Sequence, residues 1–132
     1  MSRHQCLPIA LARLTRYPFE SIIRAIGHDG LGIDPATGQP KGFDVTEIMI
    51  AGYKFGYAMS IMPLKDLGLI WTMDHLERNI ERCIVLGRLK DTETDHAMFF
   101  DGEFMVNDND AICRDLDMEI EALLTGIPSV GG

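Results

Sequence analysis

The sequence predicts an α+β fold in which N-terminal helices pack on a small antiparallel sheet of about four strands. Three observations carry this. Apolar residues recur near helical spacing in the first part of the chain. Short apolar, β-branched runs follow further on. Between two of those runs sits Asp101-Gly102, a strong short hairpin signal.

Residues 6–16, CLPIALARLTR, read as the first helix, with Leu7, Ala10, Leu11 and Leu14 along it. Pro8 fits only in a first turn, where no N–H partner is lost, so Cys6 stands at or just before the helix start. Tyr17-Pro18 breaks the run, and a second helix over residues 19–26 is stopped by Gly27. Residues 27–42 hold seven Gly and Pro breakers and read as a loop. A loop of that length inside a small domain is more often functional than idle.

Asp44 caps a third helix, with Glu47 at capping-box spacing and Gly56 closing it. Residues 57–62 read as a strand, 74–82 as a short charged helix, and 83–89 as a buried strand. Residues 96–100 and 103–107 form the predicted hairpin. Residues 111–124 are helix-like and acidic on one face, and the tail IPSVGG is expected to fray. No repeat or second domain interrupts the chain, so residues 1–132 are expected to form one domain.

Composition narrows the function. With 46% hydrophobic residues the chain suits a soluble globular protein, and a net charge of −8 argues against a nucleic-acid surface. The twelve basic residues are thinly spread, Arg3, Arg13, Arg16 and Arg24 being the nearest to a patch. Three cysteines (Cys6, Cys83, Cys113) make a poor disulfide framework, which points to a reducing compartment. The N-terminus lacks the apolar core of about 7–15 residues that a signal peptide carries. No apolar stretch approaches the ~20 residues that span a bilayer. The expectation is a cytoplasmic protein that binds neither nucleic acid nor membrane; its oligomeric state is left open.

Cys6 and His96 carry the chemistry. A thiol at a helix N-terminus meets the partial positive charge of the first-turn N–H groups, which favours the nucleophilic thiolate. An imidazole on a nearby strand can serve as its base. If Asp101-Gly102 is a two-residue turn, Phe100 pairs with Glu103 and His96 lies opposite Asn107, whose amide oxygen can orient the imidazole. One more loop residue would pair His96 with Asp108 instead, and a shift of one flips the face, so only one of the two can serve. The turn chemistry favours Asn107.

Cys83 and Cys113 read as buried hydrophobes, and His28 and His75 as surface residues. No CxxC or HExxH occurs, and Asp108-Asn109-Asp110 lacks the Gly and the closing Glu of a calcium loop. No metal and no cofactor are expected. The glycines at 27, 30 and 32 follow no strand and make no nucleotide fingerprint.

CLPIALARLTRYPFESIIRAIG resembles the N-terminal helix pair of papain-like cysteine peptidase-fold proteins, and DHAMFFDGEFMVND resembles their His-bearing strand, turn and following strand. The resemblance is to bacteriocin-processing, double-glycine-leader peptidase-like proteins and to papain-like proteins of bacteria and phages, over most of residues 5–110. It implies Cys6 as nucleophile, His96 as base and Asn107 or Asp108 as orienter. Such families often place an oxyanion-hole Gln several residues before the Cys. Here Gln5 is adjacent, and it is the expected second donor beside the Cys6 N–H, with His4 another candidate.

The expected function is thiol-dependent cleavage of an amide bond in a peptide or protein (peptidase, isopeptidase or amidase). Loop 27–42 and the segment around Trp71 would wall the substrate; transfer or deamidation would use the same residues. The alternative is a non-catalytic papain-like scaffold, phage-encoded, that binds and modulates a host protein. In that case Met49, Met59, Met62 and Met73 offer an adaptable surface, and the net negative charge favours a basic partner.

Overall fold

The computed structural model describes residues 5–38, 41–90, 95–107, 111–113 and 118–128, without the side chains of Asn79 and Cys113. Asp108 and the tail residues 129–132 lie outside the described residues. The elements run α1 (Cys6–Thr15), α2 (Phe19–Ile26), α3 (Val45–Lys54), β1 (Tyr57–Met62), α4 (Met73–Asn79) and β2 (Cys83–Leu89). They continue with β3 (Asp95–Phe100), β4 (Met105–Val106), β5 (Ile112–Cys113) and β6 (Met118–Pro128).

The helices form where the local signals place them. Gly27 ends α2 in the left-handed conformation at φ 99°, its N–H donating to Ile23 O. The Asp44 side chain accepts from the Glu47 N–H while the Glu47 side chain accepts from the Asp44 N–H, the reciprocal capping box. Residues 30–32 and 41–42 lie alongside one another: Lys41 N–H donates to Gly32 O and Gly42 N–H to Gly30 O. His28 fastens this excursion to α3 through Glu47 and stacks on Phe43.

The strands form one antiparallel sheet in the order β1-β6-β2-β3-β4-β5. Residues 111–124 thus correct the sequence expectation. The stretch predicted as a helix supplies β5 and the long strand β6, which lies between β1 and β2. Among the described residues six strands replace the expected four.

The sheet is buried on both sides at its centre. Ile84, Leu86, Ala97 and Phe99 pack with α1–α3, whereas Cys83, Val85, Met98 and Phe100 pack with Leu64 and Leu76. That alternation explains why β2 reads as a continuous apolar run.

The hairpin between β3 and β4 is a second correction. Phe100 pairs with Met105 and Phe99 with Val106, so the connection is Asp101–Phe104, four residues rather than two. The Asp101 side chain accepts from the N–H groups of Glu103 and Phe104, and its own N–H donates to Phe104 O. This Asx-type closure competes with the tight Asp-Gly turn and wins.

Candidate active site

Cys6 begins α1, preceded by Gln5, and α1 packs against β3. Cys6 is 9% exposed and belongs to the cluster formed by Ala10, Leu11, Ala97 and Phe99. His96 is the second residue of β3 and 8% exposed, one of two polar residues buried among those described. Cys6 and His96 line the same cavity, about 580 Å³, which opens between the start of α1, the Lys41–Val45 segment and the neighbouring ends of β2 and β3.

His96 Nε2 lies 2.7 Å from Asn107 Oδ1. An amide oxygen only accepts, so Nε2 carries the proton, and in the neutral ring the lone pair sits on Nδ1. The contact forms although the predicted register does not. The pairing has slipped by two residues relative to that expectation, and a slip of two, unlike a slip of one, returns every side chain to its original face. Asn107 therefore keeps the face of His96, and it reaches the imidazole from just beyond the end of β4 rather than from directly opposite.

Gly87 is the residue directly opposite His96 on β2. At this point β6 bulges: Leu86 pairs with Ala122 and Gly87 with Ile120, leaving Glu121 extra. A Cβ on Gly87 would collide with Glu119 O, so the close approach of β2 and β6 beside the cavity requires glycine. Gly87 and Glu121 both line the cavity, and residue type alone marks neither of them in the sequence. The available signal is a lone glycine inside a strand pattern, which points to a bulge or a close approach. Glu121 is held by Lys65 at 2.7 Å, a pair formed across the fold and invisible to local reading. Hydrogen-bonded to that carboxylate, Lys65 has its pKa raised.

The remaining predicted residues fall as follows. Gln5 Nε2 donates to Asp29 O at 3.2 Å, and Gln5 is not among the residues lining the cavity. Lys41 and Gly42 of the long loop do line it, next to Phe43 and Asp44. Trp71 does not; it stacks on His75 and packs against the Leu64–Leu76 cluster on the other side of the sheet, which corrects its expected place in a substrate wall. Cys83 is fully buried in β2, and loss of hydration pushes its thiol up to about 12. Among the described residues no group of three or more His, Cys, Asp or Glu could hold a metal ion, and no helix is long and apolar enough to cross a membrane.

No protein-family model matches the chain, and no curated protein matches it either. A solved structure does: the peptidase domain of Streptococcus ComA, a bi-functional ABC transporter involved in a quorum-sensing pathway. The match has a TM-score of 0.64 at 12% identity and covers 98% of this chain and 95% of that one. At that identity the likeness defines the architecture, the α+β fold of a papain-like peptidase domain.

Proposed function

We propose that this chain is a thiol hydrolase that cleaves amide bonds in a peptide or protein, with Cys6 as nucleophile and His96 as proton carrier. Asn107 is the positioning residue for the imidazole. The observation that carries the reading is the shared cavity of Cys6 and His96, with Nε2 of His96 held by Asn107. The peptidase-domain fold of ComA supports the same class.

In the proposed reaction the Cys6 thiol gives its proton to His96, and the thiolate adds to the scissile carbonyl. The tetrahedral oxyanion collapses, the C–N bond breaks, and the His96 imidazolium passes its proton to the departing amine. That leaves a Cys6 thioester. Water attacks next, His96 accepting its proton; the carboxylic acid departs and the thiol is restored. We assign one oxyanion donor to the Cys6 N–H; the Gln5 amide, turned to Asp29 O outside the cavity lining, is not assigned the second.

A small electrophile tests this without knowledge of the substrate. Chloroacetamide should modify Cys6 in the folded protein at neutral pH, and His96→Ala should slow that reaction. Equal rates in both proteins would remove the basis for a thiol–imidazole pair.

The binding-scaffold reading has one observation in its favour, the exposed Ile61, Leu67, Leu69 and Ile70 on β1 and the loop after it. The methionines do not help it. Met59 is buried, Met49 and Met73 pack against the core, and of the four only Met62 is exposed.

A further inference from the structure

We infer that Arg13 is a positioning residue for the proposed site: from the helix that carries Cys6 it holds the backbone of Asn107, and so sets where the Asn107 amide meets His96. The inference rests on the thiol-hydrolase reading and adds a residue to it.

Asn107 follows β4, whose two residues complete its pairing with β3. A backbone that has left its ladder needs other partners to fix it. The Asn107 N–H donates to Ala111 O at 2.9 Å. Its carbonyl accepts from Arg13 Nη1 at 2.7 Å, in a half-buried setting. The side-chain oxygen that meets His96 thus hangs from a backbone held at both its polar groups.

Arg13 lies seven residues after Cys6 on α1. Seven residues are about two helical turns, so both side chains leave α1 on the same side, roughly 10 Å apart along the axis. One stripe of one helix therefore presents the thiol to the cavity and the guanidinium to the Asn107 carbonyl. The guanidinium suits this task because it is always charged, planar and rigid, and a charge-assisted bond is stronger than a neutral one.

Arg82 closes the circuit. Its Nη2 donates to the Arg13 carbonyl at 2.8 Å, and its guanidinium carbon lies 5.2 Å from the centre of the Phe99 ring on β3. The nucleophile's helix is thereby tied both to the residue that orients the base and to the strand that carries it. Without Arg13, the Asn107 carbonyl loses this anchor, and the approach of its side chain to the imidazole is less closely set.

A double-variant cycle tests this, with iodoacetamide as the probe and Cys6 modification read by peptide mass spectrometry. Asn107→Ala keeps the carbonyl that Arg13 holds but deletes the amide. Arg13→Met should slow Cys6 alkylation at pH 7 by about tenfold, below the ~10²-fold that a 1 Å misplacement can cost. It should add nothing further in the Asn107→Ala background. Its effect on thermal stability should be the same in both backgrounds, and Arg13→Lys should recover part of the rate.

No effect on alkylation, or an equal effect with and without the Asn107 side chain, would overturn the inference. His96→Ala runs beside these as the control. If it leaves Cys6 reactivity unchanged, the hydrolase reading fails; if it slows Cys6 while Arg13→Met does not, only the positioning role of Arg13 fails. Should Arg13→Met not fold, the ¹⁵N spectrum of the His96 ring in Arg13→Lys decides. A shift of the Nε2 signal toward that of Asn107→Ala supports positioning, and an unchanged signal contradicts it.

Discussion

Cys6 and Cys83 are both buried thiols on the same small fold, and they differ in their place in the secondary structure and in the groups around them. Cys83 sits within the sheet, fully enclosed by apolar neighbours, where desolvation pushes its thiol up to about 12. Cys6 stands at the first residue of a ten-residue helix, on a cavity it shares with an imidazole. Burial alone therefore does not distinguish the two thiols. Helix position and a second titratable group on the same cavity do.

Five changes would break or sharpen that contrast. Cys6→Ala should have the largest effect, abolishing amide turnover to within the residual ~10³–10⁴-fold that binding and oxyanion stabilisation supply without a nucleophile. Cys83→Ala should leave turnover unchanged, and a turnover assay on any cleaved peptide checks both. His96→Ala comes next, with a loss of about 10²–10⁴-fold typical of a missing acid–base group, read in the same assay. Asn107→Ala should cost less, about tenfold, since it loosens the imidazole without removing it. Asp108→Ala should cost less again; the reverse ranking would mean that Asp108 orients the ring.

The smallest effect concerns stability rather than turnover, and it belongs to Cys83. Its folded pKa lies above the unfolded value of 9.0, so below pH 9 both states hold the proton and the group contributes no pH dependence. Between pH 9 and about 12 the unfolded thiol ionises while the folded one stays protonated. Stability then falls with rising pH, at most by about 1.4 kcal/mol per pH unit. Urea unfolding at pH 8 and pH 10 should show this extra loss in wild type, and Cys83→Ala should remove it.

What the sequence discloses follows the range of the forces involved. α1, α2, α3, β1 and β2 are announced by nearby residues: Pro8, Gly27, the Asp44–Glu47 box, Gly56 and the apolar run from Cys83. β6 is not. Its segment MEIEALLTGIP contains good helix formers at Glu119, Glu121, Ala122, Leu123 and Leu124, yet pairing with β1 on one side and β2 on the other overrides that preference. The hairpin loop is similarly decided by the Asp101 side chain, which holds two backbone N–H groups, rather than by the Asp-Gly pair alone.

The candidate site divides along the same line. Cys6 and His96 are conspicuous by type and position, and Asn107 follows from facing parity even with the register displaced by two. Gly87, Glu121 and Arg13 gain their places only through tertiary contacts: a strand bulge, a lysine from a distant loop and a carbonyl 94 residues away. Arg13 stands in the sequence as one of a few scattered basic residues, and nothing local points from it to Asn107.

The contrast between the two thiols is also the most direct test of the central claim. Iodoacetamide labelling of the folded protein, followed residue by residue across pH, reports both in one experiment. Cys6 should label with a midpoint below the free-thiol value of about 8.5, and His96→Ala should move that midpoint upward. Cys83 should stay unlabelled until the pH nears 12 or the protein unfolds. A Cys6 profile at the free-thiol value and insensitive to His96→Ala would contradict the account.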